Sequence, residues 1–233
     1  MSSTAFKLMV THSLWSEEYW PMLLQIYFKK PIGIKPTYAH PIVELSLELH
    51  IPPYILYAKM EEFHLNNLPS IQALWKVYAN NPKKLQKDAK RIRKMKGFGK
   101  PEEFYEGVTT EETFEKDFKL IERATDLTPI ALIIVLNLYF HLTPITMTEG
   151  TPEVKEVARL LNITPRRVVE IKIKPQMVVE VMDVFQFCDP YLNQDDLIIS
   201  PLLLPCQNIW NRYGNADTKE LSALTEELCH YYR

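Results

Sequence analysis

The sequence predicts an all-α fold built from two tandem duplicated helical bundles, each with a helix-turn-helix-like core. Three observations predict it. Pro41–Pro53 aligns without gaps on Glu153–Pro165, and the flanks agree, Gln25–Phe28 answering Asn137–Phe140 and Gln72–Tyr78 answering Gln207–Tyr213. An internal repeat constrains architecture before any local propensity does. Glycine is scarce, at 6 residues against 17 prolines, so tight hairpins are few and helices punctuated by proline are expected. Apolar residues recur at steps of three and four, and no stretch sustains the apolar/polar alternation of a half-buried strand.

The elements follow in order. Trp15, Tyr19, Met22, Leu23 and Ile26 predict a helix over Trp15–Lys29, with Ser16 and Glu17 as capping candidates. After Pro31–Pro36 come helices over Pro41–Leu49 and Tyr54–Phe63, with Pro53 suited to a first turn, where its missing N–H costs nothing. A fourth helix, Ser70–Ala79, carries Ile71, Leu74, Trp75 and Tyr78 on one stripe and ends at Asn80-Asn81-Pro82. A fifth, Lys83–Met95, turns Leu85, Ala89, Ile92 and Met95 inward and stops at Gly97 and Gly99. Pro101–Tyr105 and Thr110–Arg123 read as linker helices, the second with Phe114, Phe118 and Ile121 on one side.

The second half repeats the order, with helices over Thr128–His141 and Pro152–Leu161 and a further one from Pro165. Ile171-Lys172-Ile173-Lys174 is a short candidate strand. The second copy is longer around Lys172–Val181, a stretch expected to loop out or to lengthen a helix, and again around Leu192–Leu204. The domain organisation is therefore a first repeat over residues 1–100 ending in a basic helix, an acidic linker over 101–126, and a second repeat over 127–233.

Hydrophobic residues at 46% and charged residues at 24% are the proportions of an ordinary globular protein rather than a disordered one. The net charge of −2 conceals a segregation: Lys83–Lys100 holds nine basic residues and one acid, Asp88, whereas Glu102–Glu115 holds six acids and no base. The two blocks can neutralise each other. Cys188, Cys206 and Cys229 form no C-x-x-C pair and read as reduced thiols. Met1–Val10 lacks the basic and apolar regions of a signal peptide, so a cytoplasmic location is expected. Pro129–Leu136, the longest apolar run, is interrupted by Asn137 and His141, falls short of a membrane span and reads as a core helix.

Glu156–Ile171 has the spacing of a helix-turn-helix. Ala158 is the small residue at which two helices touch, Leu161 precedes a turn at Asn162 that tolerates a left-handed backbone, Ile163 is a buried plug, and Val168 and Ile171 point inward. Ser46, Leu49, His50, Ile51 and Leu56 hold the same places in the first copy. A DNA reader and a helical hairpin with no DNA role both fit this pattern. Leu138-Tyr139-Phe140, Thr151–Val154, Ala158, Leu160-Leu161, Thr164-Pro165, Val168, Phe185, Asp189-Pro190 and Ile209-Trp210 together resemble the helical module that precedes the nuclease domain in some bacterial HNH endonucleases. The resemblance covers about Leu138–Tyr213 and implies a DNA-binding helix-turn-helix. No His-Asn-His cluster follows, so nuclease activity does not carry over. The whole chain is also similar to a family of uncharacterised bacterial proteins, a resemblance that implies a bacterial source and supplies no function.

If the second repeat reads double-stranded DNA, the contacts fall to Thr164, Arg166, Arg167, Lys172 and Lys174 at the exposed start of its second helix. In the first copy the matching residues Pro52, Tyr54, Ile55, Tyr57 and Ala58 are apolar and aromatic, suited to packing on protein. Lys83, Lys84, Lys87, Lys90, Arg91 and Lys94, with Arg93 and Lys96, form the other candidate surface, for nonspecific phosphate contacts. Catalysis has little support: the six histidines are scattered, and no metal-binding helix motif, phosphate loop or nucleophile elbow occurs. Asp189, Asp195 and Asp196 suit capping and turn roles better than cation binding. The reading is a non-catalytic DNA-associated protein without cofactor or membrane contact; the alternative is a helical module that binds a protein partner or forms a homodimer.

Overall fold

The computed structural model describes residues 12–64, 69–100, 113–121, 127–162, 173–192 and 200–233. Among these residues all regular structure is helical, eleven α-helices and a few single 3-10 turns. Eight of the helices carry a proline at their first or second residue: Pro21, Pro41, Pro53, Pro69, Pro82, Pro129, Pro152 and Pro175. Proline presets the helical φ and has no N–H to leave unsatisfied there, so the expected punctuation is what starts the helices. The chain divides into two compact units, Met1–Glu112 and Thr113–Arg233.

In the first unit, α1 spans Trp20–Tyr27, α2 His40–Leu49, α3 Pro53–Glu61, α4 Pro69–Tyr78 and α5 Pro82–Ile92. The first helix starts five residues later than its periodicity suggests. Pro21 cannot donate an amide bond into a preceding turn, and Glu17–Tyr19 forms a 3-10 turn instead. Ser16 caps that turn by accepting from the Glu18 amide. Met22, Leu23, Leu24, Ile42, Leu45, Leu56, Met60 and Ile71 are sealed from solvent at the centre. Between α2 and α3, His50 adopts a left-handed conformation (φ 56°, ψ 36°) and Ile51 is fully buried, as expected for the turn and plug of the first copy. Leu85, Ala89 and Ile92 anchor α5 against α1 and α4. Met95, expected to point inward with them, is 46% exposed because α5 ends at Ile92 and the helical register lapses beyond it.

In the second unit, α6 spans Thr113–Asp117, α7 Pro129–His141, α8 Pro152–Leu161, α9 Pro175–Cys188, α10 Leu203–Tyr213 and α11 Thr218–Cys229. The short α6 packs on α7, so this part of the expected linker belongs to the second unit. A bidentate ion pair from Arg212 on α10 to Asp117 (2.8 and 2.9 Å) ties it further. Ile130–Leu136 are buried without a gap. That all-round burial marks α7 as the axis on which α8, α9, α10 and α11 pack, the core helix its apolar run predicts. Among the described residues no helix is long and apolar enough to cross a membrane. After α11, Tyr231 and Tyr232 are buried, and the Tyr232 hydroxyl lies 2.9 Å from the hydroxyl of Thr128, which caps α7.

The second copy departs from expectation where α8 ends. Asn162 is right-handed (φ −75°, ψ −1°), so the left-handed turn expected there is absent. Its side chain instead brackets Ile173, donating to the carbonyl (3.2 Å) and accepting from the amide. The helix expected from Pro165 and the plug Ile163 lie outside the described residues. The described helix that packs on α8 is α9, beginning at Pro175. Pro175–Val181, within the stretch expected to loop out or to lengthen a helix, forms its first two turns; Ile173 and Lys174 form no strand.

In each unit one tryptophan gathers three other rings around it. In the first, Trp75 lies 5.7, 5.5 and 6.1 Å from Tyr27, Phe28 and Phe63, all edge-on. In the second, Trp210 lies 6.0, 5.7 and 6.4 Å from Tyr139, Phe140 and Phe185.

Candidate nucleic-acid interface

The basic helix is the candidate surface that the described residues display most fully. Asn81 caps α5 by accepting from the Lys84 amide (3.1 Å), and Pro82 opens its first turn. With three apolar residues turned into the bundle, every other cation of the helix is left in solvent: Lys83, Lys84, Lys87, Lys90 and Arg91 are exposed, as are Arg93, Lys94 and Lys96 just beyond. Lys83, Lys87 and Lys90 recur at steps of four and three, on the side opposite Leu85, Ala89 and Ile92, and Lys94 is exposed just beyond the helix end. The helical row is about 10 Å long at the helical rise per residue.

Local pairing consumes part of this charge. Asp88 accepts from the Tyr78 hydroxyl (3.0 Å) and lies 3.8 Å from the Arg91 guanidinium. Burial, then Asp88, raises the pKa of the Tyr78 hydroxyl. Lys84 sits over the Tyr78 ring at 6.0 Å. Arg93 is committed elsewhere, its Nε donating to both carboxylate oxygens of Glu48 on α2 (2.7 and 3.0 Å). Lys83, Lys87, Lys90, Lys94 and Lys96 take no ion-pair partner among the described residues, and most of the acidic block 102–115 lies outside those residues.

The tail of the basic segment is clamped to the turn between α2 and α3. Nε2 of His50 donates to the Gly99 carbonyl (3.2 Å), a second tie beside the Arg93–Glu48 pair. Gly99 itself has φ +65°, and a Cβ there would meet the Glu48 carbonyl at 2.6 Å, so only glycine fits. The tail of the basic segment is thus tied to the end of α2 by two contacts. On α3 Tyr54 is exposed and uncharged, whereas Ile55, expected beside it on an apolar surface, is buried in the core.

The contacts expected of the second copy are less complete. Thr164, Arg166, Arg167 and Lys172 lie outside the described residues. Lys174 is exposed at the N-cap of α9. Asp189 has the turn role expected of it, accepting from the Tyr191 amide (2.9 Å) and the Tyr139 hydroxyl (3.3 Å); Asp195 and Asp196 are not among the described residues. Three features escaped the sequence reading: α11, the clamp on Gly99, and the buried pair Lys59–Glu62. Asp217 before Thr218, with Leu221, Leu224 and Leu228 at helical spacing, was the available signal for α11.

Among the described residues no three or more histidines, cysteines, aspartates or glutamates converge as a metal site would require. Comparison with known proteins finds no matching family model, no similar curated protein and no similar solved structure.

Proposed function

We propose that this chain is a non-catalytic, DNA-associated protein composed of two copies of one helical module, with α5 as its phosphate-binding element. The row of exposed lysines opposite the buried face of α5, with no ion-pair partner among the described residues, is the observation that carries the reading. Duplex DNA presents closely spaced phosphates, and a lysine row held rigid by its own helix neutralises several of them at once. Arg166 and Arg167, with Thr164, Lys172 and Lys174, add the contacts that the HNH-type resemblance implies. The matching aromatic clusters, the coincidence of α2 with α8 in the aligned repeat, and the parallel between α5 and α11 support the duplication: Leu85, Ala89 and Ile92 are buried beneath the Asn81 cap as Leu221, Thr225 and Leu228 are beneath Asp217.

Fluorescence anisotropy against mixed-sequence duplex DNA, at low and near-physiological salt, tests it. The expected result is salt-sensitive binding. Changing Lys83, Lys87, Lys90 and Lys94 to Gln lowers the slope of log affinity against log salt by about 3 to 4, and Arg166→Ala/Arg167→Ala weakens binding further. No binding at low salt removes the reading. A second reading, a module that binds a protein partner or a second copy, is favoured by the exposed Tyr54 on α3. It predicts self-association or a partner insensitive to the lysine changes.

A further inference from the structure

The aromatic cluster of the first unit opens to solvent as a cleft of about 580 Å³, lined by Tyr27, Phe63, His64, Gln72, Trp75 and Lys76. Its volume lies in the range of small-molecule sites. Tyr27, Phe63 and Trp75 pack edge to face at interplanar angles of 71° to 79°, and all three rings line the cleft. Phe63 is buried at the floor, while Tyr27 and Trp75 are half-buried. The polar groups gather at the rim: the Tyr27 hydroxyl and His64 Nε2 stand 3.2 Å apart, and the exposed Lys76 follows Trp75 in α4.

The second unit provides an internal contrast. Tyr139, Phe185 and Trp210 form a comparable ring frame, but the residues following Phe185 and Trp210 are Gln186 and Asn211 instead of His64 and Lys76. There the tyrosine hydroxyl donates to a carboxylate, Asp189, and burial with that neighbour pushes the Tyr139 pKa up to about 12. One ring frame thus carries basic groups at its edge and the other an acid. Ring frames of this kind need no charged edge for their own packing.

We propose that the cleft of the first unit binds a nucleotide, its base against Trp75 and Tyr27 and its phosphate on Lys76, with His64 and Gln72 within reach of polar base or sugar atoms. Aromatic faces accept any base, and the ammonium supplies the selection for a phosphate. The site is separate from the lysine row of α5 and does not depend on it. The shared chemistry is a nucleotide, free or unpaired in a single strand.

Isothermal titration calorimetry on the full chain, with AMP, UMP, adenosine and single-stranded oligo(dA), tests this. AMP and UMP are expected to bind saturably. Adenosine binds about tenfold more weakly than AMP, and Lys76→Gln weakens AMP by about the same factor, the loss of one charge-assisted contact. Because Lys76 and His64 are exposed, Lys76→Gln and His64→Ala leave the ring frame folded, which circular dichroism checks. The fourfold Lys→Gln variant of α5 retains AMP binding even if duplex binding is never seen, so the two proposals fail separately. In that α5 background, tighter binding of oligo(dA) than of AMP, weakened by Lys76→Gln, assigns the site to a strand; binding of mononucleotides alone assigns it to free nucleotide. No saturable binding by any probe, or AMP affinity unchanged in the His64→Ala/Lys76→Gln double variant, overturns the proposal.

Discussion

Lys59 and Glu62 form a buried ion pair on α3 and the turn after it, Nζ to Oε1 2.9 Å, with the ammonium lying 5.6 and 5.8 Å from the ring centroids of Trp15 and Trp20. Counting from the proline that opens each helix, the same two places in α9 are Val181 and Val184, both buried. Removing one partner strands a buried charge, whereas replacing both with apolar groups removes the desolvation cost as well. Lys59→Met alone is expected to cost about 3 to 5 kcal/mol in chemical denaturation. Lys59→Val/Glu62→Val should fall within about 1 kcal/mol of the parent or exceed it. A double variant as unstable as the single one would show that the pair earns its place by attraction.

Ser46 lies where α2 meets its neighbours, fully buried, and its hydroxyl has no hydrogen-bond partner among the described residues. Ala158 holds the aligned place in α8, 2% exposed. An unsatisfied buried hydroxyl costs free energy, and alanine is the better helix former. Ser46→Ala should raise stability by about 1 kcal/mol, seen as a higher denaturation midpoint with an unchanged slope. A loss of stability would place a hidden partner on that hydroxyl.

Gly99 binds the basic segment to the turn between α2 and α3. Gly99→Ala forces a Cβ into the Glu48 carbonyl in a left-handed backbone, at an expected cost of about 1 to 3 kcal/mol. The damage should be local. Faster amide exchange over Arg93–Lys100, with α1 still protected, is the expected signature, and uniform protection in the variant would argue that the clamp is ornamental to α5.

Burial raises the pKa of the Cys206 thiol to about 12, of Cys188 to about 11 and of Tyr139 to about 12. A raised folded-state pKa gives stability that is whole below the unfolded value and is lost as pH climbs through the folded one. Lys35 acts oppositely, since burial and then Lys29 lower its pKa while its ammonium donates to the carbonyls of Lys29 (2.7 Å) and Pro31. The raised groups outnumber it. Denaturation from pH 8 to 11 should show stability falling above about pH 9, with Cys206, fully buried, contributing about 1.4 kcal/mol per pH unit. Cys206→Ala should flatten the slope by that amount, and a curve that is level or rising to pH 11 would contradict the assignment.

Much of the helical framework was legible because its signals are local. Proline at the helix start, the four-three spacing of Leu85, Ala89 and Ile92, and the match of His40–Leu49 with Pro152–Leu161 act within one or two turns of chain. The lysines of α5 were readable as exposed for the same reason: once three residues face inward, the helical period dictates the rest.

Other features required the fold. Met95 looked periodic yet emerged into solvent, because only the folded chain decides at which residue a helix stops being held by neighbours. The turn expected at Asn162 is present, but its backbone is right-handed and its side chain closes on Ile173, a choice made by hydrogen bonding between residues eleven apart. Lys59 reads as an ordinary surface lysine until Trp15 and Trp20 cover it. The sequence by itself determined the helical class and the basic row, since each is a pattern within a helix. Tertiary structure alone decided which charges are buried, which are free, and that Tyr27, Phe63 and Trp75 meet around an open cleft, because those contacts join residues far apart in sequence and depend on how helices pack.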